Sequence, residues 1–200
     1  MGRFILWTGV GILAGLMLAA AVIFNQPYQL RGSEIQSPYS APDFTLPDGR
    51  GQEFHLAGQR GRVVLLFFGF TTCPDVCPTT LSDFKQVRQR LGKDADRVSF
   101  VFITVDPDRD TPERMAKYVS GFDPSFIGLS GDETQLGPVW KAYGVYRKLN
   151  KVSADDKAYE VEHSTQLYLV DAAGNLRLTY SYGTPVDDLL QDIRFLLKKG

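Results

Sequence analysis

Apolar positions along the chain fall into three patterns. Residues 4–24 form one uncharged apolar run. Residues 63–70 are a short apolar run, and 98–105 (VSFVFITV) are nearly so; both read as buried strands. Elsewhere apolar residues recur at helical spacing: Leu81, Phe84, Val87 and Leu91 predict a helix over about 78–91, opened by Pro78. Leu136, Val139, Trp140 and Tyr143 predict another over 132–143, and Leu189, Leu190, Ile193, Leu196 and Leu197 a last one opened by Pro185. A shorter helix is expected from Thr111 or Pro112 to about Ser120, with Asp110 or Thr111 as its N-cap.

The remaining pieces are hairpins and short strands. Residues 44–46 and 52–55 flank Pro47-Asp48-Gly49-Arg50-Gly51, and residues 166–170 and 176–182 flank a turn at 171–175. Residues 126–129 are a short strand, and 144–148 and 159–162 are extended pieces around a polar insert at 150–157. Residues 25–40 are polar, contain two prolines and have no period, which reads as a linker. Strand and helix alternate first, and an antiparallel hairpin plus a helix closes the chain. That order predicts an α/β domain over 41–200: a central mixed sheet flanked by helices on both faces. A strand, a paired-cysteine loop, a helix and a terminal ββα make a thioredoxin-like plan, on which the N-terminal hairpin and the 132–148 segment are insertions.

The run at 4–24 is 21 residues, and as a helix it would span roughly 31 Å, enough for a bilayer core. A cleavable signal peptide is the rival reading, with Ala19-Ala20-Ala21 as a cleavage site, but the run exceeds the roughly 7–15 apolar residues of a signal core. Arg3 precedes it and no basic residue follows before Arg31, so residues 1–24 are expected to anchor the chain with its N-terminus in the cytoplasm. A single-pass protein of a bacterial inner membrane, its C-terminal domain in the periplasm, is the resulting expectation.

Composition narrows the class. Hydrophobic residues make up 44% of the chain, enough for a core without disulfide support. The net charge of −1 gives no electrostatic case for nucleic acid. Only two cysteines are present, so this is a redox or ligand pair and not a disulfide scaffold.

Those two, Cys73 and Cys77, sit where a strand ends and a helix begins, in Phe70-Thr71-Thr72-Cys73-Pro74-Asp75-Val76-Cys77-Pro78. A helix N-terminus stabilises an anion, so at least one thiol is expected to have a lowered pKa. Three readings of the pair stand: a stabilising disulfide, which so short a loop makes weak; a dithiol redox couple; and two soft ligands for one ion such as Cu(I). His163 lies just ahead of the strand at 166–170. On a thioredoxin-like plan that junction faces the cysteine loop, so His163 supplies a third ligand beside two sulfurs. His55, in the N-terminal hairpin, is left out as a solvated or capping residue. Asp106-Pro107-Asp108-Arg109-Asp110-Thr111-Pro112 ends the second buried strand on the ligand side of such a sheet, and is expected to be a support loop or partner contact. Phe70 is expected to shield the cysteines from water.

With these pieces assembled, the chain resembles the Sco/SenC family of copper chaperones for cytochrome c oxidase. The match is carried by the cysteine motif, by Val105 through Pro112, and by His163-Ser164, and extends over about residues 41–197. The resemblance implies a thioredoxin-like domain that binds one copper, as Cu(I) or Cu(II), through Cys73, Cys77 and His163. It implies delivery of copper or reducing equivalents to the CuA centre of oxidase subunit II, with other periplasmic copper chaperones or thioredoxin-like reductases as further partners. The rival is a membrane-tethered thiol–disulfide oxidoreductase, which needs the cysteines and is indifferent to His163. A peroxiredoxin-like peroxidase is weak, because Phe70 and Pro74 stand where each Thr-x-x-Cys pattern needs threonine.

Overall fold

The structure is a computed structural model describing residues 28–153 and 158–199, together with Met17. Its elements are β1 (Ser33–Ser40), β2 (Thr45–Pro47), β3 (Glu53–His55), β4 (Val63–Gly69), α1 (Val76–Leu91), β5 (Val98–Thr104), α2 (Pro112–Ser120), β6 (Ile127–Leu129), α3 (Glu133–Ala142), β7 (Arg147–Asn150), β8 (Glu160–His163), β9 (Leu167–Val170), β10 (Asn175–Tyr180) and α4 (Val186–Lys199). The expected anchor at 1–24 lies outside the described residues except for Met17, as do residues 154–157 of the polar insert. Among the described residues, no helix is long and apolar enough to cross a membrane.

The central sheet has six strands in the order β1-β10-β9-β4-β5-β6. Strand β4 pairs parallel with β5 and antiparallel with β9, and β5 pairs parallel with β6. Every residue of β4 and β5 is buried, which is why their sequences are apolar almost throughout, with only Ser99 and Thr104 polar, rather than alternating. On one face, Phe84 of α1 packs on Phe100 with ring centroids 5.4 Å apart, and Tyr118 of α2 packs on Phe102 at 5.9 Å. On the other, Tyr143 at the end of α3 meets Phe68, Tyr168 and Phe44. Helices thus cover both faces, giving the mixed α/β architecture expected. The β2–β3 hairpin forms in the register Thr45 to His55, and β7–β8 forms a second small sheet.

Two expectations need correction. The stretch at 25–40 is not a linker throughout, because residues 33–40 are the edge strand β1, paired antiparallel with β10. A polar edge strand pairs through its backbone and leaves its side chains largely in water, so it carries no hydrophobic period. Helix α1 starts at Val76, not Pro78. The amide of Thr79 already donates to the carbonyl of Asp75 at 3.1 Å, and Pro78 still falls in the first turn, where no amide partner is needed. The early start puts Cys77 inside the helix. Thr111 caps α2 as expected, accepting from the Arg114 amide, and Asp132 and Gln135 close a capping box on α3.

Candidate metal centre

Strand β4 delivers the chain to a tight turn and α1 carries it away. In the turn the Cys73 amide donates to the Phe70 carbonyl at 3.3 Å, and the Cys77 amide donates to Cys73 Sγ at 3.4 Å. Cys77 is fully buried and Cys73 half-buried. Gly69, the last residue of β4, makes room for the buried thiol: a Cβ there would lie 2.7 Å from Cys77 Sγ and 2.7 Å from the Phe102 ring.

The thiols are electrostatically unlike. The hydrogen bond from the Cys77 thiol is the main influence lowering the pKa of Cys73, with help from His163 and the amides of Asp75 and Cys77 against the opposing effect of burial. Cys77 is driven up, first by that same bond and then by burial. The free pair therefore shares one proton, held on Cys77, with the thiolate on the more accessible Cys73. The expected lowered thiol pKa is present, although the neighbouring thiol contributes more than the helix end.

His163 ends β8. Its Nδ1 stands 2.6 Å from the carbonyl oxygen of Ser164. A carbonyl only accepts, so Nδ1 carries a proton and Nε2 is the ring nitrogen left to face an ion. The ring lies edge-on to Phe70 with centroids 5.6 Å apart, so Phe70 walls the site as expected. The ligand atoms of Cys73, Cys77 and His163 all lie within 4.8 Å of one another. With metal–sulfur and metal–nitrogen bonds of about 2.3 and 2.1 Å, three ligands spread evenly in a plane around one ion stand about 4 Å apart. The cluster is thus within about an ångström of a closed site, and its two sulfurs and one imidazole suit a soft or borderline ion. His55 is elsewhere, half-exposed on β3, with Nδ1 2.8 Å from Thr45 Oγ1.

The loop after β5 holds the two halves of the site together. Buried Asp110 accepts from the Thr71 amide at 2.9 Å, from the Thr71 hydroxyl, and from the Thr104 hydroxyl at 2.9 Å. Burial pushes its carboxyl up, and these bonds oppose the shift. Buried Asp106 accepts from Arg109 and from the Tyr159 hydroxyl. The Arg109 guanidinium lies 3.9 Å from the Tyr159 ring centre, 5.8 Å from that of Phe70, and donates to the Tyr159 carbonyl at 3.0 Å. Lys151 pairs with Asp108 at 2.6 Å, and Arg147 donates to the Val105 carbonyl at 2.6 Å while stacked on Trp140. The loop therefore ties the cysteine turn to the β7–β8 hairpin that carries His163. The expected support role of residues 106–112 is met; the clamping residues Arg147, Lys151 and Tyr159 carry no sequence motif that marks them.

Residues 32–198 match the family model described as SCO1/SenC. A SCO2-like protein of Rickettsia conorii is 36% identical over 152 residues, which is 76% of this chain and 74% of that protein. Of the mitochondrial SCO2 homolog of Bos taurus, 38% identical over 186 residues, the match spans 91% of this chain and 70% of the relative. Among solved structures, Bradyrhizobium japonicum ScoI with copper bound has a TM-score of 0.71 at 38% identity, covering 80% of this chain and all (100%) of that one.

Proposed function

The chain belongs to the SCO1/SenC family, and on that premise we propose that it is a copper metallochaperone that carries one copper ion on Cys73, Cys77 and His163 and assists assembly of the CuA centre of cytochrome c oxidase subunit II. The observation that carries the reading is the convergence of those three ligand atoms within 4.8 Å, at the end of a fold similar to a copper-bound relative. Copper is the cargo. Arrival requires the Cys77 proton to leave, the Cys73 thiolate is already available, and His163 supplies the Nε2 lone pair when that nitrogen carries no proton. Three ligands leave a coordination position for an acceptor group, and half-buried Cys73 is the thiol from which exchange starts. The buried walls of Phe67, Phe70 and Phe102 exclude water and so protect Cu(I) from oxidation.

Residues 1–24 serve in this reading as a single inner-membrane anchor, with the copper-binding domain, whose sheet begins at β1 (Ser33–Ser40) rather than at residue 41, in the periplasm. The apolar run at 4–24 and its flanking Arg3 support this placement.

A second reading, thiol–disulfide exchange on subunit II or other periplasmic proteins, is favoured by the split protonation of the pair. The Cys73 thiolate would attack a client disulfide, releasing one client thiolate. Cys77 would then lose its proton and displace the second, leaving a Cys73–Cys77 disulfide and a reduced client. The discriminating experiment is anaerobic copper loading of the reduced full chain beside Cys73→Ala and His163→Ala. One copper per chain, lost in Cys73→Ala, supports the chaperone. No bound copper in a chain that still reduces a test disulfide supports the oxidoreductase instead.

A further inference from the structure

We infer that the end of the domain formed by the last turns of α4 and the loop at 92–97 docks on anionic lipid headgroups, turning the metal centre away from the bilayer. This rests on the anchor reading of residues 4–24. The incoming segment shows where the anchor joins the domain. The Tyr28 ring packs on Phe195, near the end of α4, with centroids 4.6 Å apart. Its hydroxyl donates to fully buried Asp192 at 2.6 Å, and the Arg31 amide donates to the same carboxylate at 3.0 Å. Withdrawing these donors would leave a buried charge short of partners, so the segment stays on α4. Only Asn25, Gln26 and Pro27 stand between Phe24 and Tyr28, a reach of at most about 14 Å. The short connection keeps the anchor close to the end of α4.

Two hydrogen bonds join that part of α4 to the end of α1 and the loop after it. Arg97 donates to the Leu197 carbonyl at 2.8 Å, and Arg194 donates to the Arg90 carbonyl at 2.7 Å. The loop leads into Val98, which pairs with Val63, the first residue of β4. The cysteines follow the last residue of β4, so this end lies about 20 Å from the metal centre, the rise of a seven-residue strand. Its surface is basic. Arg90, Lys93, Arg97, Arg194, Lys198 and Lys199 are exposed there against Asp94, Asp96 and Asp187, a surplus of three positive charges. Around the metal centre the charges balance: Asp108 pairs with Lys151, Glu162 with Lys148 and Asp110 with Arg114, and exposed Asp75 adds a negative charge. A negatively charged bilayer therefore attracts the far end and not the metal end. Tyr28 at the junction is a residue type that suits the headgroup layer. The centre is left open to partners that stand off the membrane.

The test uses the full chain in vesicles of phosphatidylglycerol and phosphatidylcholine, with an acceptor dye on the headgroups and a fluorophore on an encoded unnatural residue at position 89 or 146. Gln89 is exposed beside Arg90, and Tyr146 is exposed beside the His163 hairpin. Energy transfer is expected to be stronger from 89 than from 146. Most of that difference should be lost in vesicles of phosphatidylcholine alone, and likewise in K93Q/K198Q/K199Q, whose three exposed side chains keep their length and lose their charge. Equal or reversed transfer on anionic vesicles, in a chain that floats with them, overturns the docked orientation. A difference that is unchanged on neutral vesicles or in the triple variant overturns the headgroup contact. A chain that does not float overturns the anchor reading and the inference with it.

Discussion

Asp110 accepts hydrogen bonds from both the amide and the hydroxyl of Thr71, two residues before Cys73. The carboxylate thus fixes the turn that aims the thiolate, without itself being a ligand. Asp110→Asn replaces one acceptor oxygen with a donor facing other donors. It is expected to weaken copper binding about tenfold and to lower stability by about 1–3 kcal/mol. Competition titration against a Cu(I) chelator, with urea unfolding alongside, checks both. Unchanged affinity would remove Asp110 from the site.

His163 supplies the only nitrogen in the cluster and packs edge-on against Phe70. His163→Ala should lose most affinity for Cu(II), for which imidazole is a well-suited ligand, while two thiolates still hold Cu(I). Visible charge-transfer absorption and chelator competition separate the two oxidation states. Equal losses for both would mean that His163 does not discriminate between them.

Cys73 owes its lowered pKa first to the Cys77 thiol. A depressed pKa means that Cys73 stays a thiolate as pH falls below the ordinary cysteine range and is protonated only in acid. The reduced protein should therefore alkylate at Cys73 below pH 7, where a free cysteine reacts slowly. In Cys77→Ala the main donor is gone, and the midpoint of the alkylation–pH curve should move upward. A curve identical in both proteins contradicts the assigned cause.

Gly69 lies against Cys77 and Phe102 with no space for a methyl group. Gly69→Ala is expected to cost about 1–3 kcal/mol by overpacking and to shift the buried sulfur away from its partners. Thermal melting and copper stoichiometry report the two effects. Full copper loading with an unchanged melting temperature would show that the contact relaxes freely.

Much of this molecule is determined by sequence alone. The short, largely apolar runs at 63–70 and 98–105 point to strands covered on both faces, and the spacing of Leu81, Phe84, Val87 and Leu91 points to a helix. Cys73 and Cys77 are placed by local chain geometry, since strand, turn and helix N-terminus are contiguous. His163 is legible only once a fold is granted, because about ninety residues separate it from the cysteines. What the tertiary structure decided is what holds these pieces in register. Strand β1 has no hydrophobic period because an edge strand is recruited by backbone pairing. Tyr159, Arg147 and Lys151 become clamps, and Asp192 becomes an anchor for Tyr28, only when distant segments meet and desolvate their charges. Local patterns follow from neighbours along the chain, whereas a buried charge takes its partners from wherever the fold supplies them.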